Sequence, residues 1–264
     1  MPEHSNALID RLRLEAFRSP RTGERPLGSA RLLLASTGLF ALLALSVALG
    51  NPLTPIDQAL TAALQQLRSE RLDRWMTALT LLGNSDLIAL LSLALGIRLI
   101  RDRNRTAALL WLGAMAALVI LNTLLKLGFA MPRPEILLKP LASFSFPSGH
   151  SSASTLFFSL LAAFSAQQQP KRWRWLIYAL AGLPALGVGL SRLYLGVHWF
   201  SDVLGGILLG LAIAAATCLV YSRFDRKPVA FDRRGFWLAG LTISALYLWI
   251  RLDGAVIDYL PASL

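Results

Sequence analysis

The chain has 264 residues, of which 55% are hydrophobic and only 16% charged, with a mean hydropathy of +0.55. So little polar surface excludes a soluble globular protein of this size, and several apolar runs approach the roughly 20 residues needed to cross a bilayer core. The runs are continuous rather than alternating, which selects helices over a barrel. The net charge of +11 is spread over the connections between runs, which argues against nucleic acid as a partner and for the lipid bilayer.

Residues 1–30 read as a polar, arginine-rich tail in which Pro20, Gly23 and Pro26 discourage a long helix. The tail is too long and too charged for the first part of a signal peptide. A first span is expected over about 32–49, stopping at Gly50-Asn51-Pro52. Over 56–79, Arg68, Glu70, Arg71, Asp73 and Arg74 forbid a span. Apolar residues still recur there every three or four positions (Leu60, Leu64, Leu67, Leu72, Trp75, Met76, Leu79). That spacing predicts an amphipathic helix, lying at the interface or packed over the mouths of the spans.

Further spans are expected over about 87–100, 106–125, 150–166, 175–190 and 199–221, then a basic loop over 223–234 and a seventh span over 236–250. The expected fold is an all-α polytopic membrane bundle: six core transmembrane helices, a seventh, and an interfacial amphipathic helix. Its organisation is a tail (1–30), a membrane domain (31–222), and a C-terminal loop with a span (223–264). Cys218 is the single cysteine, so neither an intrachain disulfide nor a cysteine metal cluster can form. It reads as a packed, inert thiol.

Lysine and arginine counts orient the spans. The segment through Arg31 holds six, the connection after the second span four, the one after the fourth three, and the loop 223–234 five. This asymmetry predicts a cytoplasmic N-terminus in an inner, or plasma, membrane. It also places three polar islands at the outer ends of the spans, facing the periplasm or exterior.

The islands are Lys126-LGFAMP-Arg133-Pro134, then Pro147-Ser148-Gly149-His150, then Ser191-Arg192-LYLGV-His198-WFS-Asp202. Charges at a bilayer edge are expensive unless solvated, paired or functional. Lys126, Arg133 and Arg192 gather three cations near too few carboxylates, which implies a missing anion. Phosphate fits, since Arg forks grip its oxygens bidentately and Lys adds a point charge. Ser148 reads as an N-cap and Gly149 as a close-approach residue, so a helix N-terminus adds backbone donors. His150, in that first turn, is placed to protonate a leaving oxygen. His198 and Asp202 stand four apart, one helical face, so the carboxylate can fix the imidazole tautomer and leave His198 to attack phosphorus. With the cations stabilising charge, no metal is needed.

Taken singly, each feature has a plainer reading. An interfacial histidine is usually a structural hydrogen-bonder, a span-end Arg or Lys a topological anchor, and Ser-Gly before a helix only a cap. Their co-occurrence on one face in complementary roles favours catalysis. His4 and the seven tryptophans take the plain reading; Trp75, Trp173, Trp175 and Trp199 suit an interfacial belt.

These motifs match, in order and without a substitution, the three-part phosphatase motif of the type 2 phosphatidic acid phosphatase family, which the chain resembles over about residues 53–221. The resemblance implies a six-helix bundle with an outward-facing site. It also implies a lipid phosphate or isoprenoid diphosphate substrate, and no divalent metal or other cofactor. By position, Lys126, Arg133, Ser148, Gly149 and Arg192 would bind phosphate, with His198 the nucleophile, Asp202 its partner and His150 the proton donor. The long tail and seventh span depart from the family's usual six. The alternatives are a lipid phosphotransferase on the same scaffold and an anion or lipid transporter.

Overall fold

The structure, a computed structural model, describes residues 29–224, 228–229 and 233–262. The tail expected over 1–30 lies outside them apart from its last two residues. Among the described residues there are nine helices: α1 (Ser29–Ala48), α2 (Thr54–Gln65), α3 (Glu70–Leu81), α4 (Ser85–Arg101), α5 (Arg105–Phe129), α6 (Gly149–Ala166), α7 (Lys171–Tyr194), α8 (Phe200–Phe224) and α9 (Arg233–Asp258). The fold is helical, as the continuous apolar runs require. One isolated antiparallel bridge joins Leu137 to Pro261.

Helices α1, α5, α7, α8 and α9 are each long and apolar enough to cross a membrane. α3 and α4 together also qualify, as a pair bent by 40°. The chain is a multi-pass membrane protein. α6 is different: it lies at the centre of the bundle, packed against α7 and α8 and touched by α4 and α5. Ser151, Ser152, Ser154, Thr155 and Ser165 are all buried along it. A helix shielded from lipid by its neighbours has no need of an unbroken apolar surface, and small polar residues let other backbones come close.

α8 is the neighbour that comes closest. A Cβ on Gly206 would stand 2.6 Å from the Ser148 carbonyl oxygen, and one on Gly210 2.7 Å from that of Ser152. The two glycines are four apart, so one face of α8 presses its backbone onto the first two turns of α6. On the opposite flank of α6, Trp111 of α5 meets Phe157 edge-on at 5.3 Å. Trp111 leads the main core with Leu87, Leu95, Leu99, Leu156, Leu160 and Phe164. α1 covers α8, and α9 lies on α3 and α4.

One element differs from its expected form. The amphipathic helix expected over 56–79 is two helices, interrupted at 66–69. Ser69 there adopts an extended backbone and accepts from Leu72 N at 3.4 Å as the N-cap of α3. α3 packs on α7 and α9 with Thr77, Thr80 and Leu81 buried. The heptad-like spacing persists across the break, so periodicity could not reveal it, whereas Ser69-Glu70 is the local start signal that ends the first helix and opens the second.

Candidate active site

At one end of the bundle the C-terminal ends of α5 and α7 meet the N-terminal ends of α6 and α8. Each expected site residue lies there. Lys126 is in the last turn of α5 and Arg133 follows it, Ser148 caps α6, Gly149 and His150 open it, Arg192 closes α7, and Asp202 is in the first turn of α8. His198 sits in the short turn between α7 and α8. Gly196 makes that turn possible. Its φ is +67°, and a Cβ would come within 2.8 Å of Ile136 Cδ1, so the backbone takes a left-handed form in a space only glycine fits.

His198 is 1% and Asp202 0% exposed. Asp202 Oδ2 lies 3.2 Å from His198 Nδ1, and it also accepts from Trp199 N at 2.8 Å and from the Ser145 hydroxyl at short range. On the far side of the ring, Arg133 Nη1 approaches His198 Nε2 at 3.0 Å. A guanidinium can only donate. Nε2 therefore carries the lone pair, and Nδ1 carries the hydrogen and donates it to Asp202. Burial, reinforced by the charges of Arg133, Arg192 and Lys126, holds the His198 imidazolium well below its ordinary pKa. The ring is neutral, with its basic nitrogen turned toward the cations.

Those cations are matched with carbonyls. Arg133 donates to Val197 O at 2.6 Å, Ser143 O at 2.7 Å and Ser143 Oγ at 2.9 Å. Lys126 donates to Phe144 O, at short range, and to Ser145 O at 3.3 Å. Burial first, then Arg192, lowers Arg133 to about 10, which keeps it charged at neutral pH. Among the described residues none of Lys126, Arg133 and Arg192 forms an ion pair. Asp202, held by His198, is the carboxylate within electrostatic reach of Lys126 and Arg133, so one negative charge faces three positive ones and an anion placed among them would be attracted.

In the second island Ser148 is 0% exposed, and its hydroxyl accepts from Ser151 Oγ at 3.0 Å and Ser151 N at 3.4 Å. Its side chain is thus turned into α6, and its amide donates to Asp202 O at 3.0 Å, tying this island to the third. A Cβ on Gly149 would face Asn122 Oδ1 at 3.5 Å, and Asn122 itself donates to Ser152 Oγ at 3.2 Å. Among the described residues His150 Nε2 is buried with no hydrogen-bond partner, which leaves that nitrogen open to a ligand. Trp199 Nε1 donates to Pro132 O at 3.0 Å, so the first island is fastened to the third.

Sequence reasoning did not reach four further residues. Ser145 braces Asp202 and lies 3.4 Å from His198 Nδ1. Asp57, 1% exposed, reaches from α2 to accept from Ser201 N at 2.9 Å and Ser201 Oγ at 2.8 Å. A buried carboxylate thus seats the positive N-terminal end of α8, where Asp202 begins. Thr80 and Tyr259 accept from Arg192 Nη1 at 2.8 and 3.0 Å. Ser145, two residues before Pro147, was within reach of local reading. The other three act across 67 to 144 residues and leave no spacing to find.

The family model described as PAP2 superfamily matches residues 107–226, which contain every motif residue. Phosphatidylglycerophosphatase B of Bacillus subtilis is 34% identical over 201 residues, 74% of this chain and 96% of its own length. Among solved structures, the fold is similar to the transmembrane PAP2-type phosphatidylglycerolphosphate phosphatase from Bacillus subtilis. There the TM-score is 0.68 at 31% identity, covering 74% of this chain and 98% of that one. LpxE of Aquifex aeolicus superposes with a TM-score of 0.50 at 28% identity over 63% of this chain and 96% of its own.

Proposed function

The chain belongs to the PAP2 superfamily and is a membrane lipid phosphatase, and from that premise we propose that it removes phosphate from a lipid phosphate monoester, or from an isoprenoid or lipid diphosphate, through a phosphohistidine on His198. The observation that carries this reading is the polarity of the His198 ring: Asp202 on Nδ1, a lone pair on Nε2 facing Arg133, and Lys126 and Arg192 within electrostatic reach of the ring.

In the proposed cycle Lys126, Arg133 and Arg192 hold the phosphate, with the Gly149 amide at the start of α6 completing the cradle, while Ser148, its amide on Asp202 O, fixes that helix end in place. Arg133 occupies the Nε2 lone pair at 3.0 Å, so it must swing onto the phosphate oxygens before attack. The move that clears the nucleophile also delivers charge to the developing transition state. Nε2 then forms a bond to phosphorus as the bond from phosphorus to the lipid oxygen breaks, and that oxygen takes a proton from His150, which is protonated once the negative charge of the seated phosphate lies beside it. A water attacks the phosphohistidine, gives its proton to His150, and inorganic phosphate departs with His198 restored. Asp202, backed by Ser145, stabilises the imidazolium character that builds on His198.

Metal independence fits the donor set. Among the described residues no three His, Cys, Asp or Glu side chains are grouped to ligate a metal ion, and a divalent cation brought to the site would meet Lys126, Arg133 and Arg192. The arginine and lysine counts support an inner-membrane orientation with the N-terminus in the cytoplasm and the site on the outer face.

Phosphate release from a lipid phosphate by the purified protein tests the mechanism. His198→Ala should lower turnover roughly a thousandfold or more while the protein stays folded and inserted. Activity should survive excess EDTA, and orthovanadate should inhibit. Undiminished release by His198→Ala sinks the covalent step; strict dependence on an added divalent ion sinks the metal-free one.

A further inference from the structure

Arg192 is 2% exposed and forms no ion pair among the described residues, yet one of its nitrogens is already held twice. Nη1 donates to Thr80 Oγ1 at 2.8 Å and to Tyr259 Oη at 3.0 Å. The guanidinium also lies 5.5 Å from the centre of the Tyr259 ring, a cation–π distance. Tyr259 follows α9, which covers the seventh span expected from the sequence, and lies outside the residues 107–226 that the family model matches.

Tyr259 is fastened on both sides. Its carbonyl accepts from Arg68 Nη2 at 2.9 Å, and Arg68 is itself paired with Asp73 at 2.7 Å. Leu138 N donates to Leu260 O at 2.9 Å, and Ala262 N donates to Ile136 O at 2.8 Å. The C-terminal segment is thus laced to the same loop that carries Arg133, and Tyr259 lies within electrostatic reach of Arg133.

A phenol both accepts and donates, whereas a guanidinium only donates. With Arg192 as donor, the Tyr259 hydroxyl keeps its own proton, and no acceptor for that proton stands among the described residues. The proton is free for an anion that Arg192 and Arg133 would share.

We infer that Tyr259 is a phosphate-binding residue, donating its phenolic hydrogen to an oxygen of the phosphate seated on Arg192 and Arg133. The site then has a fourth arm, supplied by a helix beyond the three motif islands. The inference rests on the phosphatase reading of that site. It deepens the reading by giving α9 a direct part in substrate recognition rather than in anchorage alone.

Tyr259→Phe separates the hydroxyl from the ring: it keeps the stacking on Arg192 and removes the phenolic donor together with the oxygen that accepts from Arg192 Nη1, which Thr80 still holds. The full chain, purified, is assayed for turnover of a lipid phosphate and for inhibition by orthovanadate and inorganic phosphate. Loss of a hydrogen bond to a charged group should raise both inhibition constants and the KM by about tenfold or more, with the melting temperature unchanged. Asp253→Asn, which breaks the exposed ion pair between Asp253 and Arg74 on the same helix, should leave inhibition as in the wild type. Unchanged inhibition constants in Tyr259→Phe overturn the inference, as does an equal rise in Asp253→Asn, which would trace the effect to the docking of α9. Wild-type phosphate release and the silence of His198→Ala, measured in the same preparation, judge the phosphatase reading separately.

Discussion

The His198 ring shows how much chemistry a few atoms fix. Because Arg133 cannot accept a hydrogen bond, the 3.0 Å contact to Nε2 decides the tautomer without reference to any mechanism. Burial and three cations then keep the ring neutral. A pH profile follows. The nucleophilic form of the ring persists as pH falls through the ordinary histidine value near 6.5, so protonation of His198 should add no acid limb to kcat/KM at that value. An acid limb beginning above pH 7 would contradict the burial of the ring. The same shift acts on stability. Below about pH 6.5 the unfolded chain takes up a proton that folded His198 refuses, so this residue destabilises the fold increasingly as pH falls and has no effect above that value. Ser145 belongs to this scale too. Its hydroxyl is one of three donors on Asp202 Oδ2, and its place two residues before Pro147 was the local signal that could have found it.

At the scale of elements, the crossing of α8 over α6 sets the distance between the second and third islands. The Gly206 contact with the Ser148 carbonyl, 2.6 Å from an added Cβ, lies one turn from Asp202, and the Ser148 amide bonds Asp202 O directly. Gly206→Ala must push the helices apart against backbone that cannot yield, an overpacking that typically costs about 1–3 kcal/mol. Its melting temperature and kcat should fall together. Gly113→Ala, where a Cβ meets nothing within 4 Å, should change neither. Differential scanning fluorimetry beside phosphate release checks both variants. The spacing Gly206-x3-Gly210 is visible in the chain, but only the structure shows which face it presses, because a glycine pair names no partner. The break between α2 and α3 was hidden for a related reason: apolar periodicity continued through it while Ser69 quietly capped a new helix.

For the whole molecule, hydropathy and charge carried most of the architecture. Apolar runs marked the long helices, and polar islands at run ends converged at one end of the bundle because consecutive spans alternate direction. That logic gave Lys126, His150, Arg192 and Asp202 a common face. It could not supply Asp57, Thr80 or Tyr259, whose contacts bridge helices far apart in sequence. It also set the span over 236–250 apart from the family's usual six, whereas Tyr259, just beyond it, touches Arg192. Orientation is open to a direct check. Cysteine in the exposed loop at Ala142 should react with a membrane-impermeant maleimide on intact cells, while cysteine at Arg101 should react only after permeabilisation. Native Cys218 is 1% exposed and should stay silent. The opposite pattern would invert the topology drawn from the arginine and lysine counts.

The pairing of residues 136–138 with 260–262 has a bearing on biogenesis. A chain emerging from the ribosome can insert α5 to α8 and gather Arg133, His150, Arg192 and His198 while α9 is still to be made. Only when α9 has crossed can the segment after it close against Ile136 and Leu138 and set Tyr259 on Arg192. Maturation of the site is therefore timed by the insertion of α9. A half-inserted chain holds the charges without their last brace.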